Sequence, residues 1–345
     1  MRFLRRLLRK LDPVLARAAA RSRLGSSLYY GIYRTDFLRE QRSFAAGRQA
    51  YQDSLAKPGS SMAILRRNVH RIEKGLLMQP RRVPFALDYI GETVAAFATA
   101  CKAPLEAEEF AWGRDVLSEY FAVHEKEAKA NPHAEKFYTA LSTSGWIADE
   151  STPRIPYRRD TAAPLPVDLE SLRALARHRR SVRWFLQKPV PRSAIDAAIE
   201  IGTQAPSACN RQPFEFRIFD DRELVEQVID IPFGLAGYGH NVPVLIVVVG
   251  QQRNFFSERD RHLIYIDASL AVMGLLYGLE VQGLSSCCVN WPDIEENETR
   301  MAELLKLSAD ERPVMLVALG YPDPQGMVAR SVKKSLPVIR RYNFE

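Results

Sequence analysis

Four prolines within 18 residues, Pro153, Pro156, Pro164 and Pro166, divide this chain more sharply than any other feature. Proline fixes φ and lacks a backbone N–H, so the stretch 151–168 cannot be helical throughout and reads as a linker. The hydrophobic pattern has a different period on its two sides, so the two halves must build different cores.

Before the linker, residues 25–150 read as an α-helical region. Ala86 to Ala100 and Glu106 to Ala130 combine helix-forming residues with apolar positions on a 3.6-residue period, without β-branched alternation. Leu65 to Gly75 is densely charged and ends on a glycine suited to capping a helix. There His70 and Glu73 share a face, with Arg67 and Arg71 on a neighbouring one. Such residues most often form a solvated face with local ion pairs; the alternative is a surface that meets a ligand or partner.

After the linker the pattern is mixed. Helices are predicted at Leu169 to His178, Arg192 to Thr203, Arg222 to Ile229, Asp260 to Gln282 and Glu298 to Leu305. Strands are predicted at Phe214 to Phe219, Val244 to Val249, Leu284 to Val289 and Val314 to Leu319. The second and fourth strands are continuous apolar runs, as interior strands are. Residues 169–345 thus form an α/β or α+β domain. Between Asp267 and Glu280 the fourth of these helices is apolar on nearly every face, more than one core needs, which predicts a dimer interface. That uncharged run of 12 residues falls short of the roughly 18 a membrane helix needs, so no bilayer span is expected.

The net charge of +7 has one source. Residues 1–24 hold eight arginines and lysines against Asp12 alone, and the rest of the chain is neutral. A neutral body argues against nucleic acid as a partner. Leu4, Leu7, Leu8, Leu11 and Leu15 fall at helical spacing among the arginines, with Pro13 interrupting the pattern. This basic amphipathic helix suits either an anionic membrane surface or packing on the protein itself. The four cysteines lack metal-site spacing and a disulfide framework, so no metal is expected and a reducing, cytoplasmic setting is, with the basic helix able to lie on a membrane's inner face. Cys287 and Cys288, on an apolar strand, read as buried packing residues.

Phosphate-loop, dinucleotide-fold, serine-hydrolase and zinc-peptidase motifs are all absent. Two segments remain that can carry chemistry. In the first, Arg179, Arg180 and Arg183 with the Ser181 hydroxyl can meet a phosphate through charge-assisted hydrogen bonds, although cations at a helix C-terminus are also favoured by its dipole. In the second, Ala205 to Phe214, the loop residues Ser207, Asn210 and Gln212 offer donors and acceptors suited to a heteroaromatic edge; the same residues are ordinary turn formers.

Together, Arg179-Arg-Ser-Val-Arg183 and Ala205-Pro-Ser-Ala-x-Asn-x-Gln-Pro-Phe214 resemble the leading motifs of the nitroreductase family of FMN enzymes. The apolar helix running into Gly283-Leu-Ser-Ser, the strand ending Ala318-Leu-Gly-Tyr-Pro322, and the basic tail Arg330-Ser-Val-Lys-Lys334 follow in the family's order. The resemblance covers about residues 169–345 and implies an α+β fold, a mixed sheet flanked by helices, here preceded by an α-helical region. It implies that Arg179, Arg180, Ser181 and Arg183 bind the FMN phosphate and ribityl or pyrimidine side. Lys333 and Lys334 would complete the phosphate site, with Arg330 as a substitute. Pro206, Ser207, Ala208, Asn210 and Gln212 would reach the flavin of the other subunit of a homodimer, and Gly283, Leu284 and Ser285 would lie against the ring.

No side chain is then an obligate catalyst, because flavin N5 is the reactive centre. The implied reaction is a ping-pong hydride transfer from NAD(P)H to a small-molecule electron acceptor, with nitroaromatics or quinones accepted in vitro. Similar folds also dehydrogenate heterocycles, remove halogens or cleave the flavin, and a flavin fold without turnover could serve as a membrane adaptor. The family's minimal members begin near the Arg-Arg-Ser motif, so the preceding region is free to supply substrate contacts through His70, Arg71, Glu73 or Lys74.

Overall fold

The computed structural model describes residues 2–56, 62–102, 106–127, 129–145 and 152–343, with the backbone alone for residues 2–10, 55 and 56. Helix α1 (Arg2–Ala19) runs straight through Pro13, which costs it one backbone hydrogen bond without ending it. The side chains of Leu4, Leu7 and Leu8 lie outside the described residues, whereas Leu11, Val14 and Leu15 are exposed. Asp12 ties α1 to the turn after α2 (Arg23–Leu28), accepting from the Tyr29 hydroxyl at 2.7 Å and pairing with Arg34 at 3.4 Å.

Helix α3 (Leu38–Ala56) packs on the segment that follows β-strand residue Gln251, whereas α4 (Ala63–Leu76), α5 (Ile90–Ala100), α6 (Ala107–Val123) and α7 (Asn131–Thr143) form a helical layer. Its core is aromatic: Phe97, Phe110, Tyr120 and Phe137 pack with Val69, Ile72, Ile90 and Leu117, all essentially without solvent exposure. Each such side chain contributes about 1.5–3 kcal/mol through burial. Three expected boundaries move. Ala86 takes a left-handed φ of 59°, so α5 starts later, at Ile90; the 106–130 segment breaks after Val123; and α4 continues past Gly75 to Leu76.

The linker carries neither helix nor strand from 152 to 168. Its start is fastened to α6, because the Arg154 N–H donates to Asp115 at 2.8 Å and its guanidinium pairs with Glu108.

Beyond it come α8 (Leu169–His178), α9 (Arg192–Thr203), β1 (Phe214–Phe219), α10 (Arg222–Ile229), β2 (Val244–Gln251), α11 (Leu263–Glu280), β3 (Ser285–Asn290), α12 (Glu295–Leu305), β4 (Glu311–Gly320) and the short α13 (Leu336–Ile339). The sheet order is β1-β2-β4-β3, so the two continuous apolar runs are indeed the interior strands. All three strand pairings are antiparallel, and parallel pairing enters as a bridge between Ser181 and Ser286 at the β3 edge. Aliphatic cores cover both faces of the sheet.

α11 is the axis of this domain. Its inner face packs Ala268, Val272, Leu275 and Leu279 on the sheet, and α9 crosses it so closely that a Cβ on Gly278 would sit 2.8 Å from the Ala198 Cα. By length and composition alone, segment Glu258–Glu280 is apolar enough to cross a membrane, contrary to the expectation from uncharged run length. Asp267 interrupts the run without lowering its mean enough to exclude it. Half of the segment is buried within the fold, the position of a core helix. The opposite face leaves Ile266, Leu270 and Met273 exposed.

Candidate flavin site

The segment 179–183 is held in place by backbone pairing. The Val182 N–H donates to the Ser286 carbonyl at 3.1 Å, and the Leu186 N–H donates to the Tyr321 carbonyl at 2.9 Å. This brings the first predicted motif alongside Gly283, Leu284 and Ser285. Gly283, at φ 75°, closes α11: its N–H bonds the Glu280 carbonyl and the Leu284 N–H bonds the Leu279 carbonyl, both at 3.1 Å. Only a residue at ease in the left-handed region makes this cap, and it turns the chain directly into β3. Cys287 is buried, but Cys288 points to the other face of the strand and is exposed, correcting the reading of both as packed.

What these side chains already bind tests whether they suit FMN. Among the described residues, none of Arg179, Arg180 and Arg183 forms an ion pair, although arginines elsewhere do so repeatedly. Arg180 donates to the Arg179 carbonyl at 3.0 Å, and Arg183 lies 5.7 Å from the Tyr238 ring. The Arg179 Nε and the Ser286 Oγ are buried without any hydrogen-bond partner. Such orphans are costly unless something binds them, so the set fits a polyanionic group with hydroxyls. Lys333 and Lys334 sit in an exposed tail, as does Arg330, and the chain by itself does not fasten any of them to this segment.

The second predicted segment is built at the other end of α11. The buried Asp267 carboxylate accepts from the Ala208 N–H at 2.9 Å. Burial raises the pKa of Asp267, opposed by that bond and by the Arg211 charge. Ser207 Oγ accepts from the Gln212 N–H at 3.1 Å, while the Gln212 amide donates to the Thr203 carbonyl at 3.3 Å. Cys209, Asn210 and Gln212 all have left-handed φ values, 55°, 51° and 47°. For residues other than glycine each costs on the order of 1–2 kcal/mol, so the loop holds its shape only because its surroundings impose it. Pro206 is exposed at its apex.

At the far end of α11, the buried Glu280 pairs with the exposed His178 at 2.8 Å, next to Arg179. Asp267 and Glu280 therefore anchor the two predicted motifs about 20 Å apart along one helix, at 1.5 Å per residue. These two carboxylates were visible as the bounds of the apolar run, but the sequence reading did not assign them.

The four proposed substrate residues lie on α4, whose side packs on the 208–210 turn. His70 and Glu73 pair at 3.6 Å, and Glu73 accepts from the Trp112 indole at 2.9 Å. The Arg71 guanidinium lies 3.6 Å from the Tyr89 ring centre, and Lys74 is exposed. The sequence reading missed Arg66, which donates from Nε to the Asn210 carbonyl at 2.7 Å. It belongs to the same charged run, but nothing local in sequence signals a partner 144 residues away. Two open clefts, of about 650 and 880 Å³, lie elsewhere, against α12 and α3, and neither takes in either motif.

Comparison with known proteins agrees with the motif reading. Residues 176–236 and 233–321 match the Nitroreductase family. A Methanothermobacter thermautotrophicus protein provisionally named NADH dehydrogenase/NAD(P)H nitroreductase is 25% identical over 145 residues, 42% of this chain and 73% of that one. The iodotyrosine deiodinase of Thermotoga neapolitana is 27% identical over 193 residues, 51% of this chain and 99% of its own length. Among solved structures, an FMN-dependent nitroreductase from Clostridium difficile superposes with a TM-score of 0.43 at 20% identity, covering 49% of this chain and 98% of that one.

Proposed function

We propose, taking as premise that residues 176–321 carry the nitroreductase family pattern, that this protein is a homodimeric FMN-dependent oxidoreductase drawing electrons from NAD(P)H. The observation that carries the reading is the cluster Arg179, Arg180 and Arg183, three cations within five residues and no ion pair among the described residues. A phosphate dianion would compensate that charge, and Lys333 and Lys334 can swing from the exposed tail to add to it. Bound FMN would supply reversible two-electron chemistry that no side chain offers. The Gly283–Ser285 backbone would lie against the ring, with the Gly283 and Leu284 N–H groups already spent on capping α11.

Two chains are needed because α11 separates the motifs by about 20 Å. Pairing two α11 helices head to tail through Ile266, Leu270 and Met273 would bring the Asp267 end of one protomer to the Glu280 end of the other. Pro206, Ser207, Ala208 and Asn210 of one chain would then complete the site begun by Arg179–Arg183 of its partner. In that arrangement α4 stands over the partner's flavin, with His70, Arg71 and Lys74 available to a substrate and Glu73 holding His70. The exposed Leu11, Val14 and Leu15, with Arg17 and Arg21, would let α1 rest on an anionic membrane surface from the cytoplasm.

Nitroaromatics and quinones are the first acceptors to test. A dehalogenase reading of the same site is favoured by the likeness to iodotyrosine deiodinases along nearly their whole bacterial representative. Visible absorbance of the purified protein, followed anaerobically after NADPH and then NADH, tests both. Flavin bands that bleach with a nucleotide and recover with a quinone are expected; bands that bleach only with dithionite and recover with a halotyrosine would favour dehalogenation. A colourless protein that FMN does not reconstitute would overturn both.

A further inference from the structure

We propose that Arg66 is a positioning residue, through which the helical layer holds the 207–212 loop in its flavin-binding shape and so sets how tightly, and in which redox state, FMN is held. The proposal rests on the reading of that loop as a flavin contact. Its basis is a three-way clamp. From α4, Arg66 Nε donates to the Asn210 carbonyl at 2.7 Å, Nη1 to Glu109 at 2.9 Å and Nη2 to the Gln212 side-chain oxygen at 3.5 Å. The guanidinium sits 5.5 Å from the Trp112 ring centre, and Trp112 is itself fixed by Glu73.

Only 18% of the Arg66 side chain and 17% of Glu109 remain exposed, so the clamp is largely shielded from competing water. Among the described residues Arg66 makes the only hydrogen bond to the Asn210 carbonyl. It meets the loop where its backbone is least at ease, between three left-handed residues. The loop's other ties come from within the sheet domain: Asp267, Thr203 and Ser207 fix its base, and Arg211 pairs with Asp260 at 3.7 Å and lies 4.9 Å from the Phe255 ring centre. Among the described residues, Arg66 is the one side chain of the helical layer that hydrogen-bonds this outer turn. A loop held at both levels presents Ser207, Ala208 and Asn210 in one arrangement, and a fixed donor and acceptor pattern discriminates between the oxidised and reduced ring.

The full chain is compared with Arg66→Ala, Arg66→Lys and Glu109→Gln. Hydrogen exchange without FMN reads the loop, fluorescence titration with FMN reads affinity, and the midpoint potential at saturating FMN reads the balance between redox states. In Arg66→Ala, exchange across 207–212 should accelerate about tenfold, while β1 stays protected. FMN affinity should fall about fivefold or more, with a changed ratio between oxidised and reduced forms. Arg66→Lys keeps the charge but not the fork, so it should restore the Glu109 pair and leave the loop fast.

An interdomain staple without influence on the flavin would leave the potential unmoved, and that result overturns the proposal. Should Arg66→Ala fail to fold, Glu109→Gln loosens the same guanidinium and must itself move the potential away from the wild-type value. A wild-type chain that takes up no FMN would overturn the underlying reading. Normal uptake with unchanged loop exchange and potential in the variants would overturn the Arg66 proposal alone.

Discussion

Two arginines of the helical layer and the three of segment 179–183 are used in opposite ways. In the layer, Arg66 is paired with Glu109 and Arg114 with Asp115, and Arg154 of the linker reaches back to Glu108. In the sheet domain, segment 179–183 leaves three arginines without a carboxylate, although Arg253 and Arg312 each form ion pairs. The cores differ too: clustered aromatic rings in one, aliphatic side chains on both faces of a sheet in the other. The layer thus has an aromatic core of its own and meets the sheet domain through Arg66 and through a small cluster of Ala63, Ile64 and Phe256. Charges spent on a partner fix geometry, and charges left unspent mark where a ligand belongs.

The largest expected effect tests whether the cores are separate. Phe97→Ala should cost about 3–5 kcal/mol by opening a cavity in the aromatic cluster. Its hydrogen-exchange signature should be confined to α4–α7, with Ile246 on β2 keeping its protection. Equal loss in β2 would mean a single cooperative unit and would break the comparison.

Next, Arg179→Ala combined with Arg183→Ala should weaken FMN binding about 100-fold or more, because charged partners of a desolvated group carry several kcal/mol. The melting temperature without FMN should change little, since no ion pair is lost and Arg183 gives up only its contact with the Tyr238 ring. A clear drop in that melting temperature would mean these cations stabilise the fold itself.

The smallest effect concerns Asp267. Burial raises its folded-state pKa, so its favourable contribution is complete below the ordinary aspartate value and is lost as pH rises through the raised one. Asp267→Asn keeps an acceptor for the Ala208 N–H and does not titrate. Relative to wild type it should gain stability progressively as pH climbs through that window, read from urea midpoints at several pH values. A difference independent of pH would show the carboxylate already neutralised by Arg211.

Much of this molecule was legible from sequence where the signal is local. The hydrophobic pattern placed α8, α9, α10 and β1 where they are found, and apolar continuity marked β2 and β4 as interior. The site motifs were legible because the family repeats them in order. What escaped was long-range: a guanidinium reaching from α4 to Asn210, and Asp267 accepting from a loop 59 residues earlier. Ala86 and Val123 escaped for a different reason, since the left-handed residue and the helix break are set by packing against neighbours and leave no mark on a hydrophobic pattern.

The two acids at the ends of α11 give that helix a second role, as a gauge. Each additional turn would lengthen it by about 5.4 Å and carry the two motifs apart by the same amount. In a two-fold assembly the error would enter both sites at once, because each site is measured by both helices. Substitutions along the exposed stripe can therefore be absorbed one contact at a time, whereas an insertion or deletion cannot be compensated locally. The length of α11, rather than the identity of most residues on it, is the quantity that drift in this protein is least free to change.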